Sequence, residues 1–139
     1  MKKATQELLN ELRKTEAIAD FTKENAAEFE VEVLSELLVH FLECYNKTKI
    51  DVIKDAGLDI TYGYQIFDGR KRPKREKLLQ LAFGFPLSVE DTNRLLRAGG
   101  VNSLYVRNKR DAICMYCLQK KHTLDECNAY LYQMGEQTL

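Results

Sequence analysis

Along most of the chain, apolar residues recur every three or four positions and hardly ever every second one, the signature of helices that bury one face. Two prolines and seven glycines leave few breakers, so the whole chain reads as helical. A first short helix is expected from about Thr5 to Ile18, with Leu8, Leu9, Leu12 and Ile18 on one side. A stronger one is expected over residues 27–45, where Phe29, Val33, Leu37, Leu38, Phe41, Leu42 and Tyr45 form a wide apolar stripe. Both stripes are the kind of surface that serves a core or a dimer contact.

Beyond residue 70 the pattern repeats itself with an offset of 35 residues. Ser88 falls on Thr123, Asn93 on Asn128, Leu96 on Leu131, Gly100 on Gly135 and Leu104 on Leu139; upstream, Arg75-Glu76 falls on Arg110-Asp111. Each copy has a Ser or Thr followed three residues later by an acid, the spacing that starts a helix, and a glycine suited to a left-handed C-cap. Two helical hairpins, at about 74–99 and 109–134, are expected side by side. The repeat relates residues 74–104 to 109–139.

Between these regions, residues 48–75 read TKIDVIKDAGLDITYGYQIFDGRKRPKR. Thr48 and Asp59 are N-cap types, and Gly57 and Gly69 are turn or C-cap types, which gives two short helices around a tight turn. With Val52, Ala56, Leu58 and Ile66 at its apolar positions, this stretch resembles the lambda-repressor-like, or XRE, helix-turn-helix family. The resemblance is close over residues 48–75 and looser over about 30–84. It departs from the family at two positions together. The family usually has a small residue where this chain has Ile53, and a β-branched one in the recognition helix where this chain has Gly63. The two positions face each other in that fold, so the exchange conserves summed volume, which a close-packed core tolerates best.

Net charge is zero, but the average hides a gradient. Residues 1–46 carry 5 basic and 10 acidic groups, residues 47–77 carry 9 and 5, and residues 78–139 carry 7 and 6. The positive charge falls on the motif, where an electrostatic footprint on nucleic acid would lie. The resemblance implies that the second motif helix enters the major groove of double-stranded DNA, with Ile60, Thr61, Tyr64 and Gln65 outward. Gln65 would pair with adenine, and Ile60 or the Thr61 methyl would touch a thymine methyl. Lys49 and the basic stretch Arg70, Lys71, Arg72, Lys74 and Arg75 would meet phosphates.

Cys114, Cys117, His122 and Cys127 match the spacing of a zinc knuckle, C-x2-C-x4-H-x4-C. The segment has no glycine to fold tightly around zinc, and Ile113, Cys114, Cys117 and Leu118 form a helical apolar stripe, so no metal is expected there. No phosphate loop, nucleophile elbow or metalloprotease motif is present, and no catalysis or cofactor is expected. No apolar run approaches the roughly 20 residues that span a bilayer, and Met1-Lys2-Lys3 opens no signal peptide; a cytoplasmic protein is expected.

The sequence thus predicts an all-α protein, with a lambda-repressor-like helix-turn-helix domain, an N-terminal helix and C-terminal helical hairpins. The expected divisions are 1–26 (N-terminal helix and linker), 27–86 (helix-turn-helix domain) and 87–139 (helical extension). The expected function is sequence-specific transcriptional regulation, bound to DNA as a homodimer. The alternative is a non-catalytic adaptor that holds a protein partner such as a kinase or toxin.

Overall fold

The computed structural model describes residues 3–139 and divides into two compact units, one ending at Val31 and one running from Glu32 to Leu139. Among the described residues every regular element is helical. The first unit holds α1 (Thr5–Lys14), α2 (Ile18–Glu24) and a 3-10 turn (Ala26–Phe29). The helix expected to reach Ile18 stops at Lys14. There the Thr15 hydroxyl donates to the Glu11 carbonyl at 2.7 Å, a local bond that competes with helix continuation. Phe21 is buried edge-on against Phe29, and Lys3 Nζ joins Glu11 (2.6 Å) and Asn25 Oδ1 (2.7 Å).

The second unit begins with α3 (Leu34–Cys44), seven residues later than the helix expected from position 27. The β-branched Val31 and Val33, alternating with Glu30 and Glu32, favour extended backbone over helix. Only Leu37, Leu38 and Phe41 of the expected stripe are buried; Phe29 and Val33 are 56% and 54% exposed. Then follow α4 (Lys49–Asp55), α5 (Ile60–Phe67), α6 (Arg75–Gly84), α7 (Val89–Ala98), α8 (Lys109–Gln119) and α9 (Leu124–Gln133).

Helix α6 is the axis of this unit, with every residue from Leu78 to Gly84 buried. α4 approaches it so closely that a Cβ on Gly84 would collide with the Val52 carbonyl oxygen. Next to that contact, Gln80 Nε2 donates to the Ala56 carbonyl at 3.0 Å and satisfies a buried acceptor at the end of α4. On α3, Phe41 packs edge-on against Phe85 at 5.9 Å between ring centres. The Tyr45 hydroxyl donates to Asp91 at 2.6 Å and accepts the Ser88 N–H at 3.1 Å.

Three hairpins, α4–α5, α6–α7 and α8–α9, turn by the same chemistry. The N–H of Leu58, Leu87 and His122 bonds the carbonyl of Ile53, Ala82 and Cys117 at 3.1, 2.8 and 2.9 Å. One residue on, Asp59, Ser88 and Thr123 accept from the N–H of Tyr62, Asp91 and Glu126. The α3–α4 corner has it too, with the Lys47 N–H on the Leu42 carbonyl at 2.9 Å and Thr48 accepting from the Asp51 N–H, so these bonds are the corner chemistry of the whole unit and not a mark of the duplication. In the three hairpins the residue pairs ten apart, Ile53/Gly63, Ala82/Thr92 and Cys117/Cys127, are all buried.

The second and third hairpins also share their tails. Arg75 Nε donates to the Asn102 carbonyl, as Arg110 Nε does to that of Gln137. The Leu104 N–H bonds Asn93 Oδ1 (2.8 Å), as that of Leu139 bonds Asn128 Oδ1 (2.7 Å). The two arginines cross-pair, Arg75 with Asp111 and Arg110 with Glu76. The division expected between residues 86 and 87 falls inside the corner that joins α6 to α7, and one core runs through it.

Candidate nucleic-acid interface

Helix α5 is placed by one tight crossing. Ile53 of α4 lies against Gly63, and a Cβ built on that glycine would stand 2.6 Å from both Ile53 Cγ1 and Cγ2. Gly57 (φ +68°) makes the turn and Asp59 caps α5 by accepting the Tyr62 N–H at 3.0 Å. Held in this way, α5 buries Gly63, Ile66 and Phe67. Its outward residues are Ile60 (46% exposed), Thr61 and Tyr64 (37% exposed). Gln65 is half-buried rather than open.

The basic turn after α5 is built as firmly. Gly69 (φ +80°) reverses the chain, the N–H groups of Arg70 and Lys71 both donate to the Gln65 carbonyl, and Pro73 is buried. Lys71, Arg72 and Lys74 are exposed, and no described residue pairs with them. Arg70 makes an exposed ion pair with Asp68 at 2.7 Å, an interaction worth little in water. Lys49 is half-buried, its ammonium 6.0 Å from the centre of the Phe67 ring.

Arg75 does not belong with the exposed cations, and the phosphate role expected for it is corrected. Both terminal nitrogens bind the buried Asp111 carboxylate (3.0 and 2.8 Å), and the group also donates to the carbonyls of Asn102 and Ser103. Its charge is spent inside the molecule. A partner 36 residues away cannot be read from a local run of basic residues.

That network brings in a segment no sequence motif had marked. Asp111 also accepts the Tyr105 N–H at 3.0 Å, so residues 102–108 sit against the start of α6. Tyr105 and Val106 are 58% and 66% exposed. The only available signal was a second basic run, Arg107 to Arg110.

Cys114 and Cys117 lie as the apolar stripe suggested, whereas Cys44, expected in the core at the end of the 27–45 helix, does not. Cys114, Cys117 and Cys127 are buried between α8 and α9, while Cys44 is exposed. Contact with Cys114, and then burial, push the Cys127 thiol far up; burial pushes Cys117 up. The His122 ring stacks on Tyr130 at 5.5 Å. Among the described residues no group of three or more His, Cys, Asp or Glu is arranged to hold a metal ion, and no helix is long and apolar enough to cross a membrane.

Comparison with known proteins returns no match to a family model, a curated protein or a solved structure.

Proposed function

We propose that the chain is a sequence-specific DNA-binding regulator, with a repressor-like helix-turn-helix formed by α4 and α5. The observation that carries the reading is a juxtaposition. Ile60, Thr61 and Tyr64 face outward on a short, well-capped helix, directly followed by a turn with three cations that pair with no described residue, Lys71, Arg72 and Lys74. Side chains that can touch base edges thus sit next to charges that can bind phosphates, the division of labour of such interfaces. The complementary sizes of Ile53 and Gly63 support the register that the resemblance implies. Two copies on adjacent half-sites would follow from the geometry of this motif class. Selection from a random duplex pool with purified protein tests the reading: enrichment of one sequence supports it, and failure to enrich any at low salt removes it.

A second reading, a protein adaptor, is favoured by a shallow depression of about 320 Å³ between α3 and α5, lined by Ser35, Glu36, Val39, Phe67 and Asp68. A protein partner lost on Tyr64→Ala, with no duplex enriched, would decide for it.

A further inference from the structure

We infer that residues 105–107, in the loop between α7 and α8, form a second DNA-backbone contact beside the basic turn; the inference rests on the DNA-binding reading and extends its site. One carboxylate defines the geometry. Asp111 binds the Arg75 guanidinium, which closes the basic turn, and the Tyr105 N–H, which opens the loop. The two segments, 30 residues apart in sequence, are therefore neighbours in space.

The loop is held firmly on both sides of its tip. Leu104 is buried and its N–H bonds Asn93 Oδ1, the Asn108 N–H closes back on the Tyr105 carbonyl, and Arg75 grips the carbonyls of Asn102 and Ser103. What this scaffold presents is Tyr105, Val106 and Arg107, all exposed. Ordering an exposed aromatic, an aliphatic and an arginine so thoroughly contributes nothing to the core, and rigid presentation is what a contact surface requires.

Charge decides the partner. Asp111, which holds the loop, is neutralised by Arg75, and Glu76 beside Arg75 is paired with Arg110. Among the described residues nothing forms an ion pair with Lys71, Arg72, Lys74 or Arg107, and Arg97 bonds the Ser103 hydroxyl at 3.5 Å. Cations on two adjoining segments are what neighbouring phosphates of one DNA strand would attract. In that contact the Arg107 guanidinium would donate to a phosphate, the Tyr105 hydroxyl to a neighbouring one, and Val106 would pack on the sugar between them.

The test is fluorescence anisotropy with a short labelled duplex of random sequence, titrated with full-length protein over a range of salt. Arg107→Ala should weaken binding roughly threefold to tenfold near 0.1 M salt and lower the salt slope by about one. Arg107→Lys should keep the slope, and Tyr105→Phe should weaken binding by about twofold to threefold. Lys120→Ala removes an exposed charge at the far end of α8, about 16 Å along the axis and beyond the Debye length, and should change neither quantity. Circular dichroism checks that each variant is folded. If Arg72→Ala weakens binding but Arg107→Ala does not, the loop contact is overturned and the DNA reading stands. Equal effects from Arg107→Ala and Lys120→Ala would reduce it to net charge and overturn it too. If the unaltered protein binds no duplex, both fall together.

Discussion

The Ile53 side chain occupies the space that any side chain at position 63 would need, with two of its carbons 2.6 Å from where a Cβ on Gly63 would lie. Both residues are buried, so neither can relieve the overlap by turning toward solvent. This pair sets how closely α4 and α5 cross, and with it the direction in which Ile60, Thr61 and Tyr64 point. Gly63→Val should therefore destabilise by roughly 1–3 kcal/mol, and adding Ile53→Ala should restore much of that. Denaturant unfolding of the four proteins in the cycle measures the coupling; losses that simply add would mean the two residues are not packed against each other.

Arg75 and Arg72, three residues apart, should behave in opposite ways. Arg75→Ala strands the carboxylate of Asp111, which is 8% exposed, and should cost about 3 kcal/mol or more of stability. Arg72→Ala removes an exposed, unpaired cation and should stay within about 0.5 kcal/mol. Thermal unfolding of the two variants would separate a structural arginine from a surface one; equal midpoints would contradict the assignment.

The other half of the cross-pair predicts a pH dependence. The Arg110 guanidinium bonded to Glu76 holds that carboxyl below the ordinary glutamate value, against a smaller opposing push from burial. A carboxyl that is more acidic in the folded than in the unfolded chain stabilises the fold above the ordinary range, near 4.3. That stabilisation is lost as pH falls through the lower, folded value. Glu76→Gln should accordingly lose less stability than the unaltered protein between about pH 5 and pH 3. Parallel acid limbs in the two proteins would show that the pair adds nothing to the pH response.

Thiol titration should divide the four cysteines into one and three. Cys44 is exposed and should react with Ellman's reagent in the native protein, whereas the buried Cys114, Cys117 and Cys127 should react only once guanidinium unfolds the chain. A second thiol reacting at the rate of Cys44 in the native state would mean that the α8–α9 hairpin opens easily.

What could be foreseen of this fold divides by the range of the interaction involved. Thr48, Asp59, Ser88 and Thr123 were legible as caps because the bonds they accept close three residues away. Gly57, Gly69, Gly100 and Gly135 adopt the positive φ that a C-cap needs, which is also a local demand. The start of α3 lies later than expected because Phe29 and Val33 continue its apolar spacing, although residues 30–33 are not helical.

Among the site residues, Ile60, Thr61 and Tyr64 are outward as the resemblance implied, while Gln65 is half-buried. Arg75 was not legible, because its role depends on Asn102, Ser103 and Asp111, which the chain reaches only after passing through α6 and α7. The same long-range fold brings Tyr105 and Arg107 beside the basic turn. Local charge shows where cations are plentiful; tertiary contacts decide which of them remain available.

The central claim, that α5 reads DNA while the turn after it holds the backbone, is tested most directly by comparing two substitutions on two duplexes. Anisotropy would be measured for Thr61→Ala and Arg72→Ala on the sequence obtained by selection and on random duplex. Thr61→Ala should weaken binding to the selected sequence by about 1 kcal/mol and leave random duplex nearly unchanged. Arg72→Ala should weaken both and lower the salt slope by about one. Equal losses on both duplexes from Thr61→Ala, or no loss on either from both variants, would contradict the account.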